Sequence, residues 1–164
     1  MFREMRRKNQ LLSEEAAVEV LERGTSGVLA VQGDDDYPYA VPLSYVYGAG
    51  KLYFHSAVAG HKLDAIKRNT RVSFCVIDQD MIVPEKFTTY FRSVIVFGTI
   101  RLLEDKKEKQ LALMQLGMRY TPADADGCRQ EILKTEGHVA VLELSVEHMT
   151  GKEAIELVRG KKQG

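Results

Sequence analysis

Gly60, His61 and Lys62 have the types and spacing of an anion-binding site, because they stand where a strand-like run turns into a helix-like one. The first backbone N–H groups of a helix have no partner within the helix, and the helix dipole is positive at that end. A bound phosphate would take hydrogen bonds from the N–H groups around Gly60 and charge from Lys62. The alternative is a solvated helix start in which Asp64 balances Lys62.

His55 ends the strand-like run that precedes this helix. Leu52 and Phe54 share one face of the run, so His55 faces the other way, together with Tyr53. It is either a hydrogen-bond donor lining a pocket or a half-exposed histidine at a strand end. No carboxylate or thiol joins His55 and His61 at a recognisable spacing, so we expect no metal site.

The elements that must position these residues are short strands with a few helices between them. Ser13 begins an amphipathic helix that stops at Gly24, and Thr150 begins a capping box for a last helix. A helix after Glu104 carries Leu111, Met114 and Met118 on one side. The predicted strands are 27–32, 39–47, 51–55, 72–77, 90–103 and 138–146, with a helix at 60–69 and a loop at 78–88. Turns of hairpin length between successive strands favour an antiparallel barrel or curled sheet in a single domain, residues 1–164.

The composition restricts the function classes. The chain has 23 basic and 23 acidic residues, so no overall field draws it to nucleic acid. It has neither the apolar leader of a signal peptide nor an apolar run long enough for a bilayer, and we expect a cytoplasmic protein without a membrane partner. Cys75 and Cys128 lie far apart, which supports neither a disulfide framework nor a zinc site; Cys75 is expected in the core.

Motifs along nearly the whole chain resemble one family. They are Met5-Arg-Arg-Lys8 before the Glu14-Glu-Ala16 helix, Tyr39-Ala-Val-Pro-Leu-Ser44, Leu52-Tyr-Phe-His-Ser-Ala57, Gly60-His-Lys62, Asn69 and Tyr90-Phe-Arg-Ser-Val94. In this order and spacing they resemble the flavin-binding split barrels related to pyridoxamine 5'-phosphate oxidase, and among these the nitroimidazole-resistance (Nim) type. The resemblance implies a mainly β fold with α-helices, a split antiparallel β-barrel flanked by helices that binds FMN.

The resemblance also implies a homodimer with FMN at the interface, contacted by both subunits. The strand residues Val41, Pro42, Leu43 and Ser44 would run along the edge of the flavin ring. Ser56, Gly60, His61 and Lys62 would hold the phosphate, in agreement with the helix-start argument. The remaining residues that the resemblance brings to the cofactor are His55, Ala57, Tyr90, Ser93 and Lys152. Ser93 departs from the pyridoxamine phosphate oxidases, which carry a glutamine there that contacts the flavin.

The function implied is that of an FMN-dependent oxidoreductase, which passes reducing equivalents from a reduced nicotinamide donor to a small acceptor such as a nitroaromatic. His55 would be the catalytic residue, facing the active cavity. The substrate-binding residues of the oxidases are not recognisable near the chain end, which argues against pyridoxal phosphate synthesis. Two alternatives stay open: a flavin-binding carrier or redox sensor without turnover, and a related split barrel that uses haem or a deazaflavin.

Overall fold

A computed structural model describes residues 1–161. Residues 162–164 lie outside the described part, and with them the last residue of the basic run at 159–162. Seven strands and five α-helices make up this part of the chain. In chain order they are α1 (Glu14–Arg23), β1 (Ser26–Gln32), β2 (Pro38–Ser44), β3 (Val46–Gly48), β4 (Lys51–Ala57), α2 (His61–Arg68), β5 (Arg71–Val83), β6 (Thr88–Leu102), α3 (Lys106–Tyr120), α4 (Ala125–Thr135), β7 (Val139–Glu153) and α5 (Ile155–Lys161).

The strands form one antiparallel sheet in the order β2-β1-β5-β6-β7-β4-β3. β2 and β3 therefore occupy the two opposite edges of the sheet, although Tyr45 alone separates them in the chain. A flat sheet cannot place its two edges one residue apart. The sheet must curl until the edges meet, which gives the split antiparallel barrel with flanking helices that the sequence predicted.

Tyr45 holds the meeting point of the two edges. Its side chain is fully buried, its O–H donates to the Leu21 carbonyl of α1 at 2.7 Å, and its ring packs edge-on against Phe74 at 5.1 Å. The main core fills the barrel, with Leu29, Phe54 and Val96 among its fully buried members. Tyr45 thus ties α1 to the closed sheet.

A second, smaller core lies on the outer face of the sheet. Val141 of β7 and Leu103 pack there against Ala112 and Leu113 of α3. The predicted helix face of Leu111, Met114 and Met118 is therefore wrong, since the residues that α3 buries are Ala112, Leu113 and Leu116 and Leu111 is 66% exposed. The face that α3 buries decides which side chains overlie β4.

Other sequence predictions need correction. Residues 78–88 are not a loop: β5 continues to Val83 past a register shift at Ile77 and pairs with β6, so they form a long hairpin. The predicted strand 39–47 is two strands that pair with different partners, β1 and β4. Cys75 is only partly buried.

The predicted capping box lies inside a strand. Thr150 and Glu153 pair with β6, opposite Ile95 and Arg92, and the last helix begins at Ile155. The pattern was present, but strand pairing decided the conformation. No helix of the described residues 1–161 has the length and apolar character that crossing a membrane requires.

Candidate functional site

The start of α2 is an uncapped helix terminus. Gly60 has φ +132°, a conformation that favours glycine, and its carbonyl accepts hydrogen bonds from the N–H groups of Leu63 and Asp64 at 3.0 and 3.2 Å. No side chain in the described part of the chain caps the helix. The N–H groups of His61 and Lys62 donate to no acceptor in residues 1–161, so both remain available to an anion.

Lys62 brings a positive charge to this terminus. Its side chain is half-buried and makes no ion pair or hydrogen bond within the described chain, and in particular none with Asp64. The balance between Lys62 and Asp64 that was the alternative at the sequence level is therefore not formed as an ion pair. The ammonium group and the two N–H groups are the parts that fit the phosphate of a cofactor.

The His61 side chain is partly exposed and lies against β2. Its ring stacks on Tyr39 at 4.2 Å between centroids, and Nε2 lies 3.6 Å from the Asp34 carboxylate. Asp34 also pairs with Arg68 at 2.7 Å. The imidazole thereby fixes the start of α2 beside β2, while the His61 N–H is the group left for an anion.

β2 has a free edge next to this terminus. Its residues pair with β1 on one side only, so the other side presents unpaired backbone groups. Val41 and Leu43 pack against the barrel core, whereas Pro42 and Ser44 are exposed. Because His61 stacks on Tyr39 of β2, one extended ligand can reach from the start of α2 along this edge.

β4 divides its predicted site residues between two faces. Ser56 is buried on the inner face with Leu52 and Phe54, and its Oγ donates to the Ala57 carbonyl at 2.7 Å. His55 and Ala57 are exposed on the outer face, as the alternation predicted for His55. His55 lines a cavity of about 410 Å³ between β4 and the α3–α4 pair.

The other predicted residues lie elsewhere on the sheet. Ser93 of β6 is the cross-strand neighbour of Lys152, which lies on β7 close to the start of α5. The Lys152 ammonium sits 5.3 Å from the centroid of the Phe91 ring. Tyr90 accepts a hydrogen bond from Lys86 at 2.8 Å, and its odd spacing from Ser93 turns it to the opposite face of β6.

Within one protomer, the predicted site residues therefore form two separate groups. Ser56 is opposite Ala140 at one end of β7, whereas Ser93 is opposite Lys152 twelve positions along the same strand. Twelve residues of extended strand span about 40 Å. The structure brings the β2 edge, Ser56 and the start of α2 together, and it keeps Ser93 and Lys152 apart from them.

The family model for pyridoxamine 5'-phosphate oxidase matches residues 13–153, which include both groups. The chain belongs to the pyridoxamine 5'-phosphate oxidase family. No curated protein is significantly similar to it in sequence.

Solved structures share the fold of this member of the pyridoxamine 5'-phosphate oxidase family. A candidate 5-nitroimidazole antibiotic resistance protein from Bacteroides thetaiotaomicron is 23% identical, with a TM-score of 0.71 over 87% of this chain and 86% of that one. An FAD-binding protein from Mesorhizobium loti is 25% identical, with a TM-score of 0.63 over 88% and 97%. An FAD and haem binding protein from Mycobacterium smegmatis is 20% identical, with a TM-score of 0.76 over 90% and 74%.

The walls of the His55 cavity were missed at the sequence level. α3 contributes Leu113, Leu116, Gly117 and Tyr120, and α4 contributes Cys128, Glu131, Ile132 and Thr135. Each set has the spacing i, i+3, i+4, i+7 of one helix face. Polar residues interrupt the pattern in α4, and in α3 the apolar set of Leu111, Met114 and Met118 competes with it. A Cβ at position 117 would lie 2.0 Å from the Cys128 sulfur, so Gly117 permits the close packing of the two helices.

Arg92, which lies between Tyr90 and Ser93 on β6, has a structural role. It binds Asp78 at 3.0 Å and Glu153 at 3.1 Å. Asp78 also receives two hydrogen bonds from Arg23, and these, with the contact from Arg92, lower the pKa of its carboxyl group. The ion pairs join α1, β5, β6 and β7 at the base of the long hairpin. Within residues 1–161, no cluster of three or more His, Cys, Asp or Glu side chains could hold a metal ion.

Proposed function

We propose that the protein is a homodimeric, FMN-dependent oxidoreductase that takes reducing equivalents from reduced nicotinamide and passes them to a small acceptor such as a nitroaromatic, in the cytoplasm. The observation that carries the proposal is the uncapped start of α2. There, Lys62 and two N–H groups that have no partner within residues 1–161 lie beside an edge of β2 that is unpaired in the same residues, in a member of this family. The flavin, when bound, supplies the electron-transfer chemistry.

The chain's own part is to bind and orient that cofactor. Lys62 and the N–H groups of His61 and Lys62 would hold the phosphate, with Ser56 behind them. The free edge of β2 at residues 41–44 would offer backbone donors and acceptors to the polar rim of the ring. The neighbours that bind FAD support a flavin of either kind, and a terminus with one lysine is sufficient for a single phosphate.

A second protomer is part of the proposal because one protomer keeps the predicted residues in two groups. Four apolar side chains on the outer face of β1, β5 and β6 are more than a third exposed: Val28, Ile77, Ile95 and Phe97. Neighbours in the sheet, such as Val28, Cys75 and Ile95, make this a continuous patch. Its burial against a second copy would bring the partner's Ser93 and Lys152 toward the first group.

His55 is the proposed proton donor to the acceptor. Its ring lies in the cavity on the outer face of β4, and neither nitrogen bonds another described residue. Histidine as a residue type changes charge near neutral pH, which suits proton delivery.

Absorption spectroscopy of the purified protein with added FMN, FAD or haem tests the cofactor. We expect a two-band flavin spectrum that comigrates with a dimer and a tighter affinity for FMN than for FAD. Reduction with NADPH or NADH followed by addition of 4-nitrobenzyl alcohol should then restore the oxidised spectrum. A haem spectrum, or no flavin after reconstitution, would overturn the cofactor assignment; bound flavin that no small acceptor reoxidises would make the protein a carrier or sensor.

A further inference from the structure

We infer that the cavity between His55 and the α3–α4 pair binds an uncharged, single-ring aromatic acceptor. The polar group of the acceptor would lie at His55, and the charge of Glu131 would disfavour anions. The inference deepens the proposed function and rests on it in taking the bound molecule to be the electron acceptor. It concerns a site formed by α3 and α4, which none of the predicted cofactor residues except His55 lines.

The cavity has room for a single aromatic ring and its substituents. Its volume of about 410 Å³ falls at the small end of the range for ligand pockets, roughly 300–1,000 Å³. Leu113, Leu116 and Cys128 are buried side chains that give it an apolar floor, and Ile132 and Val139 add apolar walls. An apolar floor of this kind favours the face of an aromatic ring over a charged or heavily hydroxylated molecule.

The hydrogen bonds of the lining residues leave one uncommitted strong donor. The hydroxyl groups of Tyr120, Thr121 and Thr135 donate to the backbone carbonyls of Thr25, Gly117 and Glu131, respectively. Among the lining residues, His55 is then the one whose N–H groups have no described acceptor, and the Cys128 thiol is a weak donor. A molecule that buries a ring and offers one acceptor group, such as a nitro or carbonyl oxygen, satisfies this arrangement.

The charge of the lining adds a selection against anions. Glu131 is exposed at the rim, and it is the one carboxylate among the lining residues that the structure describes. It makes no ion pair within residues 1–161, so no described cation binds its carboxylate directly. A carboxylate on the acceptor would meet this charge, whereas a neutral ring would not.

Two probes with the same ring test the inference: 4-nitrobenzyl alcohol, which is neutral, and 4-nitrobenzoate, which is anionic. Their binding to the ¹⁵N-labelled full-length protein with added FMN is followed by amide chemical shifts, a readout independent of turnover. We expect the neutral probe to shift the amides of Gly117, Cys128 and Ile132 and to bind more tightly than the anion.

Matched variants make the test specific. Thr135→Trp fills the cavity and should lower the affinity for the neutral probe by about tenfold or more. Leu133→Trp, on the same helix but outside the cavity, should leave this affinity unchanged. Glu131→Lys should raise the affinity for 4-nitrobenzoate by about fivefold. Glu22→Lys makes the same charge change on an exposed residue of α1 and should leave that affinity unchanged. Glu131→Lys keeps the test decisive if Thr135→Trp does not fold.

The outcomes separate the pocket from the reaction. Shifts elsewhere, or equal responses of each variant and its control, would overturn the inference even in a protein that reduces nitroaromatics. The expected responses in a protein that binds no flavin would support the pocket and refute the proposed reaction.

Discussion

His55 and Ser56 are adjacent in the chain and face opposite sides of β4, Ser56 into the barrel and His55 into the cavity beneath α3 and α4. Ser56 is the buried residue that precedes the proposed phosphate site at the start of α2, whereas His55 lines the proposed acceptor cavity. Substitutions at the two positions should have separable effects.

His55→Ala should leave FMN affinity within about twofold of wild type and lower the turnover of a nitroaromatic acceptor by about 100-fold, the usual contribution of a positioned proton donor. Flavin titration and stopped-flow reoxidation measure the two quantities. Ser56→Ala is the contrasting variant and should lower the affinity for flavin. Wild-type turnover in His55→Ala would dismiss the catalytic role.

Lys62→Ala should weaken FMN binding by about 1.5–3 kcal/mol, because it removes a charge-assisted contact at the start of α2. Lys67→Ala is the matched control, since Lys67 is an exposed lysine in the last turn of the same helix. Fluorescence titration of FMN gives both affinities. Equal affinities for the two variants would sink the phosphate assignment.

Ile95→Asp should convert a dimer into a folded monomer, because the side chain is 40% exposed in the single chain and belongs to the apolar patch. The dissociation constant should rise by at least tenfold, or about 1.4 kcal/mol. Leu111→Asp, on exposed α3, is the control. Sedimentation velocity that finds the wild-type mass for Ile95→Asp would place any interface on another face.

Asp78→Asn should lower the free energy of unfolding at pH 7 by about 1–2 kcal/mol, since Asp78 binds both Arg23 and Arg92. Because its pKa is lowered in the folded state, its contribution is complete above the ordinary aspartate pKa of about 3.9 and is lost as the pH falls through the lowered value. The difference between wild type and variant should therefore shrink below about pH 4.

Urea unfolding at pH 7, 5 and 3.5 measures this dependence. The control is Asp126→Asn. The Asp126 carboxylate is 90% exposed and, among residues 1–161, pairs only with Arg129, so this substitution should cost less than about 0.5 kcal/mol at every pH. A constant difference for Asp78→Asn across this range would contradict the assigned ion pairs.

Much of the local structure could be predicted because it depends on neighbours in the sequence. The helix at Ser13, the start of the next at Gly60, and the outward face of His55 all follow from capping and alternation, and all three are confirmed. The inward alternation from Tyr39 to Tyr47 is also continuous, which explains the prediction of one strand. What changes at Tyr45 is the pairing partner.

The features that could not be predicted depend on distant partners. Residues 78–88 contain Pro84 and mix polar with apolar side chains, which predicted a loop, yet Arg23 and Arg92 neutralise Asp78 and the pairing with β6 keeps the strand extended. The His55 cavity needs two helix faces of mixed polarity to meet over β4. Whether the two groups of cofactor residues join in a dimer stays a prediction.

The barrel that closes at Tyr45 cannot be completed during synthesis until β7 has been made. β3 pairs with β4, and β4 pairs with β7. Lys51 of β4 binds Glu143 of β7, which lies ninety-two positions further along the chain. At translation rates of roughly 5–20 residues per second, the β3–β4 hairpin waits about 5–20 s for its partner. During that interval Leu52 and Phe54, both fully buried in the finished barrel, are without their β7 neighbours. The nascent chain should consequently depend on chaperones that shield this hairpin. Lower growth temperatures should change the yield of folded protein more than the stability of the protein once folded.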